Sequence, residues 1–343
     1  MSASFIGVDL GGTKVAVAVL RERELSRSLM EPTDLSSSGA LVDQLVALVQ
    51  RVRDEDLAAV GIGVPSIIEF STGTVVSSVN VPLADVPLRA ELGDRLGVPV
   101  FVDNDATAAA LAEAHDDALR LVAHNLVMLT IGTGVGGGIV LGGRIYRGAT
   151  GAAGELGHTL VGVDLDGPVP AAGGFPQQGS LEFVASGHAL DRLTGVAAGS
   201  HPESALGRQR AGGGPVLGPD AVRAAQEGDA AAREVVEMWA ERVGIGAANA
   251  INTFDPEEVV IGGGAAQAGE LLLEPVKRVA REYVVPGLGT ATQIRLARHG
   301  VQAGVLGASL LAEQEVEVAA AGAAARGGGP ESTATLQMPR AGR

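Results

Sequence analysis

An aspartate near the end of an apolar segment is the first feature of the chain that suggests chemistry. Asp9 belongs to the apolar run Phe5–Leu10, and Gly11-Gly12-Thr13-Lys14 leads into a second apolar run, Val15–Leu20, so the pattern predicts a hairpin. Aspartate is depleted in strands, and its burial costs free energy. A metal–phosphate group would offset that cost, because the glycines let backbone N–H groups approach phosphate oxygens. An ordinary hairpin turn is the alternative.

Two further glycine-rich segments follow apolar runs later in the chain. Gly132-Thr133-Gly134-Val135-Gly136-Gly137-Gly138 contains the G-x-G-x-x-G spacing of dinucleotide-binding oxidoreductases. That fingerprint must open a helix, whereas Ile139-Val140-Leu141 predicts a strand, so the context disfavours an oxidoreductase. Gly262-Gly263-Gly264 precedes a predicted helix at Glu270–Tyr283. Three such turns suggest a nucleotide bound across a cleft.

The order of the predicted elements repeats along the chain. A strand, a glycine turn and a second strand occur near residue 5 and again near residue 126, each followed by alternating helices and strands. The repetition predicts two related α/β halves with a cleft between them and a boundary near residues 119–124. Gly195–Pro219 predicts a flexible surface loop, and Val316–Arg343 predicts a disordered tail, because both are rich in small and polar residues.

Composition narrows the possible functions. The chain has 343 residues, enough for two domains, and none of its apolar runs is long enough to span a membrane. It contains no cysteine, which excludes disulfides, thiolate nucleophiles and cysteine-bound zinc or iron–sulfur sites. The net charge of −15 argues against nucleic-acid binding. We therefore expect a soluble, cytoplasmic protein that binds neither nucleic acid nor membranes.

Five motifs in order resemble the ROK family, which comprises bacterial sugar kinases and related repressors. They are Asp9-Leu10-Gly11-Gly12-Thr13-Lys14, Asp103-Asn104-Asp105-Ala106, Ile131-Gly132-Thr133-Gly134, Gly154-Glu155-Leu156-Gly157-His158 and Val260-Ile261-Gly262-Gly263-Gly264. The resemblance runs from Phe5 to about Glu313. It implies two ribonuclease-H-like α/β domains of the actin/hexokinase type, separated by a cleft. Residues 1–122 would form the first, residues 123–315 the second, whose last helix packs back on the first, and residues 316–343 the tail.

The resemblance also implies roles for individual residues. Asp105 would be the base that accepts the proton of the attacking hydroxyl, provided that a neighbour caps the following helix. The side chains that orient the acceptor would be Asn80, Asn104, Glu155, His158 and Glu182. Asp9 would hold Mg²⁺ through water. The phosphates of ATP would lie on Gly11, Gly12, Thr13, Lys14, Gly132, Thr133 and Gly134, and Gly262, Gly263 and Gly264 would face the adenosine.

Two features depart from the family pattern. Many relatives carry three cysteines that bind a structural zinc together with the histidine that corresponds to His158. Those three positions here are Gly173, Phe175 and Ser180. None of these residues is a useful zinc ligand, so we expect no zinc, and the acceptor loop at Gly162–Gly179 must be held in another way. Ser66 stands where relatives usually have glycine, and it would add a hydroxyl near the acceptor.

The sequence as a whole predicts an ATP-dependent kinase with Mg²⁺ as cofactor. Its acceptor would be a primary hydroxyl of glucose, of a related hexose or of a sugar-like C7 cyclitol. A polyphosphate-dependent glucokinase and a catalytically inactive sugar-binding or regulatory protein are the alternatives. We expect no DNA-binding module, because Asp9 lies within the first ten residues and leaves no space for a preceding helix-turn-helix domain. We also expect a homodimer or a higher homo-oligomer.

Overall fold

Two mixed β-sheets carry the three glycine turns. The computed structural model describes residues 2–78, 80–162, 167 and 173–327. In chain order its strands are Ser4–Leu10 (β1), Lys14–Arg21 (β2), Glu24–Leu25 (β3), Leu29–Pro32 (β4), Leu57–Val64 (β5), Ser66–Glu69 (β6), Thr74–Ser78 (β7), Val100–Asn104 (β8), Leu126–Ile131 (β9), Val135–Leu141 (β10), Arg144–Ile145 (β11), Glu258–Gly262 (β12) and Gln293–Leu296 (β13). The first sheet has the order β3-β2-β1-β5-β8, with β4 beside β2, and the second has the order β11-β10-β9-β12-β13.

The two sheets share one pairing pattern. In the first, β1 pairs antiparallel with β2 and parallel with β5, and β5 pairs parallel with β8. In the second, β9 pairs antiparallel with β10 and parallel with β12, and β12 pairs parallel with β13. The repetition predicted from the sequence is therefore confirmed, and each repeat begins with a hairpin that turns at glycines.

Helices cover these sheets and build separate hydrophobic cores. They are Ser38–Val52 (α1), Leu88–Leu96 (α2), Asp105–Glu113 (α3), Leu181–Ala185 (α4), Gly187–Ser200 (α5), Ala205–Ala211 (α6), Gly218–Gln226 (α7), Ala230–Phe254 (α8), Glu270–Tyr283 (α9) and Ala303–Gly327 (α10). The serine at position 37 caps α1 by accepting the N–H of Ala40, and the apolar side chains of this helix face the first sheet. Helix α8, with 25 residues, packs on α9 over the second sheet.

The last helix returns to the first sheet. Helix α10 packs on β1 and β5 of this sheet and on α3. Small residues make this close packing possible. A Cβ at Gly61 would overlap the carbonyl of Ala308, and one at Gly307 would overlap the carbonyl of Ala108. Helices α3 and α10 are thus held nearly backbone to backbone.

Two sequence predictions about irregular segments are wrong. Gly195–Pro219 is not one flexible loop, because α5 continues to Ser200 and α6 lies within the segment. The tail does not begin at Val316, because α10 continues to Gly327, while residues 328–343 lie outside the described residues. Alanine is the best helix former, and its run from residue 319 favours the helix that we had interpreted as disorder. Among the described residues, no helix has both the length and the apolar character required to cross a membrane.

Candidate active site

Asp9 and Asp105 lie at the same edge of the first sheet. Asp9 pairs in register with Gly63 of β5, and Gly63 pairs with Asp103 of β8, which is followed by Asn104 and Asp105. These strands are parallel, so their carboxyl ends meet at one edge, where ligands of such sheets usually bind. A Cβ placed on Gly63 would lie 3.3 Å from the Cα of Asp105, which shows how closely β5 and α3 approach.

The first turn of α10 closes on Asp9. A Cβ at Gly304 would lie 2.5 Å from the carboxyl carbon of Asp9, so only glycine fits here without displacing the carboxylate. The sequence analysis missed Gly304, which lies 295 positions beyond Asp9 and belongs to none of the five motifs. A glycine near the start of the last helix gives no indication by itself that it lies beside Asp9, because only the fold brings the two residues together.

Both carboxyls are electrostatically strained. Burial raises the pKa of Asp9 to about 6; the neighbouring Asp105 carboxyl also raises this pKa, and Lys14 opposes the shift. Burial likewise raises the pKa of Asp105, the N–H of Ala106 lowers it, and the Glu155 carboxyl adds to the rise. Two close carboxyls in a partly buried site favour a bound cation, because it would relieve their mutual repulsion.

Asn104 resolves which residue caps α3. Its side-chain oxygen accepts the N–H groups of Ala106 and Thr107 at 2.9 and 3.1 Å, and its amide nitrogen donates to the carbonyl of Ser66 at 3.4 Å. Asp103 points elsewhere, because its buried carboxylate pairs with the Nε of Arg147 at 2.7 Å. Capping is therefore done by Asn104, and Asp105 remains available for chemistry.

The first glycine turn is braced by neighbouring segments. The N–H of Gly11 donates to the carbonyl of Lys14 at 2.9 Å, and the hydroxyl of Thr33 donates to the carbonyl of Gly11 at 2.7 Å. Asn80 lies against Gly12, since a Cβ on that glycine would be 3.3 Å from the Asn80 carbonyl oxygen. The turn thus presents the exposed Thr13 and Lys14 side chains beside Asn80.

The second glycine turn lies next to Glu182. The N–H of Gly132 donates to the carbonyl of Gly134 at 2.9 Å, and the N–H of Gly187 donates to the carbonyl of Gly132 at 2.7 Å. One carboxylate oxygen of Glu182 accepts the N–H of Val135 at 2.8 Å. Glu182 therefore supports this turn with one oxygen, whereas the resemblance implied only contact with the acceptor.

A cavity of about 670 Å³ lies between the second and third glycine turns. The residues that line it include Gly132, Thr133, His188, Arg223, Trp239, Gly264 and Gln267. Of the three glycines predicted to face adenosine, Gly264 lines the cavity, whereas Gly262 and Gly263 pack against β9 through Met128 and Ile131. The sequence analysis missed the histidine, arginine, tryptophan and glutamine, because no local motif marks them.

His158 and Glu155, two residues predicted to orient the acceptor, lie close together. The Nε2 of His158 is 3.6 Å from a carboxylate oxygen of Glu155, and its Nδ1 is buried without a hydrogen-bond partner among the described residues. The ring of Phe175 contacts the His158 ring edge-on, with centroids 5.2 Å apart. Phe175 stands at one of the positions where relatives carry a zinc-binding cysteine. An aromatic contact thus occupies the place of a metal ligand.

Short backbone contacts hold the base of the acceptor loop. The N–H of Val161 donates to the carbonyl of Gly179 at 2.8 Å, and that of Leu181 donates to the carbonyl of Thr159 at 2.9 Å. The hydroxyl of Ser180, another of the cysteine positions, caps α4 by accepting the N–H of Phe183. Residues 163–166 and 168–172 of this loop lie outside the described residues.

The Ser66 hydroxyl, predicted to lie near the acceptor, donates its proton to another serine. It is buried and donates to the hydroxyl of Ser78 at 2.9 Å, which in turn donates to the carbonyl of Val81 at 2.8 Å. The proton of Ser66 therefore holds the β6–β7 hairpin, and an acceptor hydroxyl could use only the oxygen lone pairs.

The carboxylate of Asp9 is a donor that suits Mg²⁺. This ion usually takes one or two carboxylates and retains several waters, alongside oxygens of the substrate phosphates. Among the described residues there is no group of three or more histidine, aspartate or glutamate side chains that could hold a metal alone. The raised pKa of Asp9 next to Asp105 is the feature that a bound cation would relieve.

Comparison with known proteins places these features in one family. The sequence profile of the ROK family matches residues 5–315. A glucokinase from Halalkalibacterium halodurans is 37% identical over 91% of this chain and 95% of its own length, and an N-acetyl-D-glucosamine kinase from Escherichia coli is 34% identical over 90% and 98%. The structure of a ROK glucokinase from Streptomyces griseus with glucose and AMPPNP superposes with a TM-score of 0.73, at 32% identity and over 91% of this chain and 100% of that one. The chain belongs to the ROK family and has its two-domain actin/hexokinase-type fold.

Proposed function

We propose that the chain is an ATP-dependent kinase that transfers the γ-phosphoryl group to a primary hydroxyl of glucose or of a closely related hexose. One observation carries the proposal. Two partly buried carboxyls, Asp9 and Asp105, lie at one edge of the first sheet, while two glycine turns of the second sheet frame one cavity. The names of the relatives, glucokinase and N-acetyl-D-glucosamine kinase, support a hexose as the acceptor.

In this proposal Asp105 accepts the proton of the attacking hydroxyl. One of its oxygens accepts the N–H of Ala106 at 2.8 Å, and the other has no hydrogen-bond partner among the described residues. Burial raises the pKa of Asp105, which makes its carboxylate a stronger base than an exposed aspartate. General-base assistance typically accelerates a reaction by about 10²–10⁴-fold. The proton passes from the hydroxyl oxygen to the free carboxylate oxygen as the oxygen–phosphorus bond forms and ADP leaves.

The acceptor is oriented by side chains around Asp105. Asn104 directly precedes Asp105, the Glu155 carboxyl lies close enough to raise the Asp105 pKa, and the His158 side chain, which is 34% exposed, lies beside Glu155. Asn80 approaches from the first glycine turn. Glu182 keeps one oxygen available beside the second turn, and the Ser66 oxygen can accept a hydrogen bond.

The phosphates are held from both sheets. Gly11, Gly12, Thr13 and Lys14 line the phosphates from the first turn, and Gly132, Thr133 and Gly134 line them from the second. The N–H groups of Gly11 and Gly132 donate within their turns, so the other residues of the two turns supply the donors. Mg²⁺, when bound, neutralises charge on the phosphates and is held through water by Asp9. Lys14 adds positive charge at the same edge, as its lowering effect on the Asp9 pKa indicates.

The nucleoside occupies the cavity of about 670 Å³ between the second and third turns. Its volume lies in the usual range of small-molecule sites, and Thr133 and Gly264 join it to the phosphate path. His188, Arg223 and Gln267 supply polar groups for the base and ribose. This cavity favours ATP over polyphosphate as the donor, because polyphosphate has no group to fill it.

Domain boundaries and assembly belong to the same proposal. We place the boundary between residues 122 and 123, in the segment that leads from α3 to β9. Assembly into a homodimer or a higher homo-oligomer stays a prediction.

Two measurements on one preparation test the function. ADP release is followed with a panel of hexoses, amino sugars and cyclitols, and nucleotide binding is followed by the fluorescence of Trp239, the only tryptophan, which lines the cavity. We expect ATP to change the fluorescence and glucose or a close hexose to give the fastest ADP release. Fluorescence change with ATP but no ADP release for any acceptor would indicate a nucleotide-binding protein without kinase activity. Faster release with cyclitols would reassign the acceptor.

A further inference from the structure

The chain passes between the two sheets at two places. The first crossing, residues 114–125, leads from the end of α3 to β9, and the second crossing, residues 297–302, leads from β13 to α10. Because α3 follows β8 and α10 packs on β1 and β5, both helices belong to the first sheet, whereas β9 and β13 belong to the second. Any movement of one half relative to the other must therefore pass through these two crossings.

Glu113 joins the two crossings. It is the last residue of α3, its side chain is 0% exposed, and its two carboxylate oxygens accept the N–H groups of Arg298 at 3.0 Å and His299 at 2.9 Å. The bond is repeated in the other direction, since the Nε2 of His299 lies 2.9 Å from the carbonyl oxygen of His115. The start of one crossing is thus hydrogen-bonded to the start of the other.

Arg295 ties this junction to the second sheet. From β13 its Nη1 donates to the Glu113 carboxylate at 2.6 Å, and its Nη2 donates to the Glu113 carbonyl at 2.8 Å. Its Nε and Nη2 also donate to one oxygen of Glu258, on β12, at 2.8 and 2.6 Å. Such a fork of paired bonds fixes geometry more strictly than a single contact does. Because Glu113 is fully buried, loss of Arg295 would leave its charge with only backbone N–H groups and the more distant Arg298, whose Nε is 3.9 Å away.

The junction controls the two elements that carry the site. Asp105 begins the nine-residue helix that ends at Glu113, so the base and the junction are about 12 Å apart along one rigid element. Gly304, which closes on the Asp9 carboxylate, follows His299 by five positions. The close contact of Gly307 with the Ala108 carbonyl prevents α3 and α10 from sliding independently. A change at Glu113 would therefore alter the position of Asp105 relative to Asp9.

We infer that Glu113 and Arg295 are positioning residues for phosphoryl transfer: their buried ion pair joins both sheet crossings and holds Asp105 and Asp9 in reactive alignment. This inference rests on the proposed role of Asp105. The pair acts on the transfer step and leaves the binding of ATP and sugar nearly unchanged, because it touches neither the 670 Å³ cavity nor the acceptor side chains. A misplacement of about 1 Å in a reacting group can cost about 10²-fold in rate.

The first test compares two arginines that each pair with two carboxylates. In Arg295→Lys the fork is lost but the charge remains; in the control, Arg21→Lys, the same change is made where Arg21 pairs with Asp54 and Asp56 on the far side of the first sheet. For Arg295→Lys we expect kcat to fall about 10–100-fold, with KM for ATP and glucose changing less than about threefold. Arg21→Lys should keep its kcat. Circular dichroism at the assay temperature establishes that both variants are folded.

A double-mutant cycle separates positioning from loss of stability. Glu113→Gln keeps the shape of the side chain and should lower kcat as Arg295→Lys does, but it should have no further effect on the residual turnover of Asp105→Asn. Equal effects of Glu113→Gln in both backgrounds would overturn the inference, as would a folded Arg295→Lys enzyme with normal kcat. Normal turnover of Asp105→Asn alone would instead refute the proposed base, and the inference with it.

Discussion

The two regions that we assign to the nucleotide and to the acceptor, called here the nucleotide side and the acceptor side, differ in the groups that form them. On the nucleotide side, glycine turns place backbone N–H groups between sheets, and α5, α7 and α8 enclose the cavity. On the acceptor side, Glu155 and His158 are side chains of a loop, and an exposed aromatic ring, Phe175, contacts the histidine. Backbone groups fixed by strands bind a constant feature such as phosphate, whereas loop side chains are free to vary with the substrate. The difference suggests that this protein diverged from its relatives on the acceptor side.

The largest effect is expected where the two sides meet, at Asp105. Asp105→Asn should lower turnover by about 10²–10⁴-fold, because the amide cannot accept the proton, while ATP still changes the fluorescence of Trp239. Steady-state kinetics and a fluorescence titration on the same sample measure both quantities. Parallel loss of ATP binding and turnover would mean that Asp105 belongs to the nucleotide side.

Gly304→Ala tests the nucleotide side. The added Cβ would lie 2.5 Å from the Asp9 carboxyl carbon, so the carboxylate or α10 must move. We expect kcat/KM for ATP to fall by roughly 10–100-fold, since a shift of about 1 Å is enough for such a loss.

Gly39→Ala is the matched control for that substitution. A Cβ at Gly39, within α1, meets no atom within 4 Å, so kinetics should stay unchanged while stability rises by about 0.5–1 kcal/mol. Wild-type kinetics in Gly304→Ala would show that the approach of α10 to Asp9 has no part in binding the phosphates.

Phe175→Ala tests the acceptor side, where a smaller effect is expected. The edge-on contact with His158 is worth about 0.5–1.5 kcal/mol, so its loss should raise KM for glucose by about 2–10-fold. KM for ATP should not change, because Phe175 does not line the cavity. Val301→Ala, a truncation at a side chain that is 85% exposed, is the control. An unchanged KM for glucose would show that Phe175 does not orient the histidine.

The effect of Asp9→Asn is measured as stability, and we expect a gain when neither nucleotide nor Mg²⁺ is present. The Asp9 pKa is about 6 in the folded protein against an ordinary value of 3.8, so the folded state binds this proton more tightly. Ionisation of Asp9 therefore destabilises the fold as pH rises through that interval. Without nucleotide or Mg²⁺, Asp9→Asn should melt at a higher temperature near neutral pH, and the gain should shrink as pH falls below about 6.

Thermal melting across that pH range measures the effect of Asp9→Asn. The charges facing Asp9, those of Asp105 and Lys14, are present in both proteins. A variant that is less stable than wild type at every pH would contradict the strain that we assign to this carboxylate.

Sequence patterns predicted most of the nucleotide side because its features are local. Continuous apolar runs and glycine pairs mark the hairpins, and the repeated order of elements predicts the two halves. The sequence left open which polar residue near Asp105 caps α3. The choice depends on Arg147, a residue far along the chain whose side chain pairs with Asp103. The shape of the cavity could not be predicted either, because residues from distant parts of the chain line it. His188 and Gln267 meet there only through the packing of α5 beside the third turn.

The acceptor side was less predictable because it depends on long-range contacts. The resemblance identified where cysteines are missing, but the sequence offers no signal that Phe175 would contact His158 or that Ser66 would donate to Ser78. The burial of Glu113 also depends on a long-range contact. A glutamate at a helix end normally predicts solvent exposure, and its burial becomes understandable only when Arg295, 182 positions later, folds against it.

The position of the phosphate on the product tests whether the chain transfers a phosphoryl group from ATP to a primary hydroxyl of glucose. The protein is incubated with ATP, Mg²⁺ and ¹³C-labelled glucose, and the product is analysed by carbon and phosphorus NMR. We expect one phosphate per ADP released, coupled to the primary hydroxyl carbon, and about 10²–10⁴-fold less of this product with Asp105→Asn over the same interval. Phosphate on a ring hydroxyl, or ADP release without a phosphorylated sugar, would contradict it.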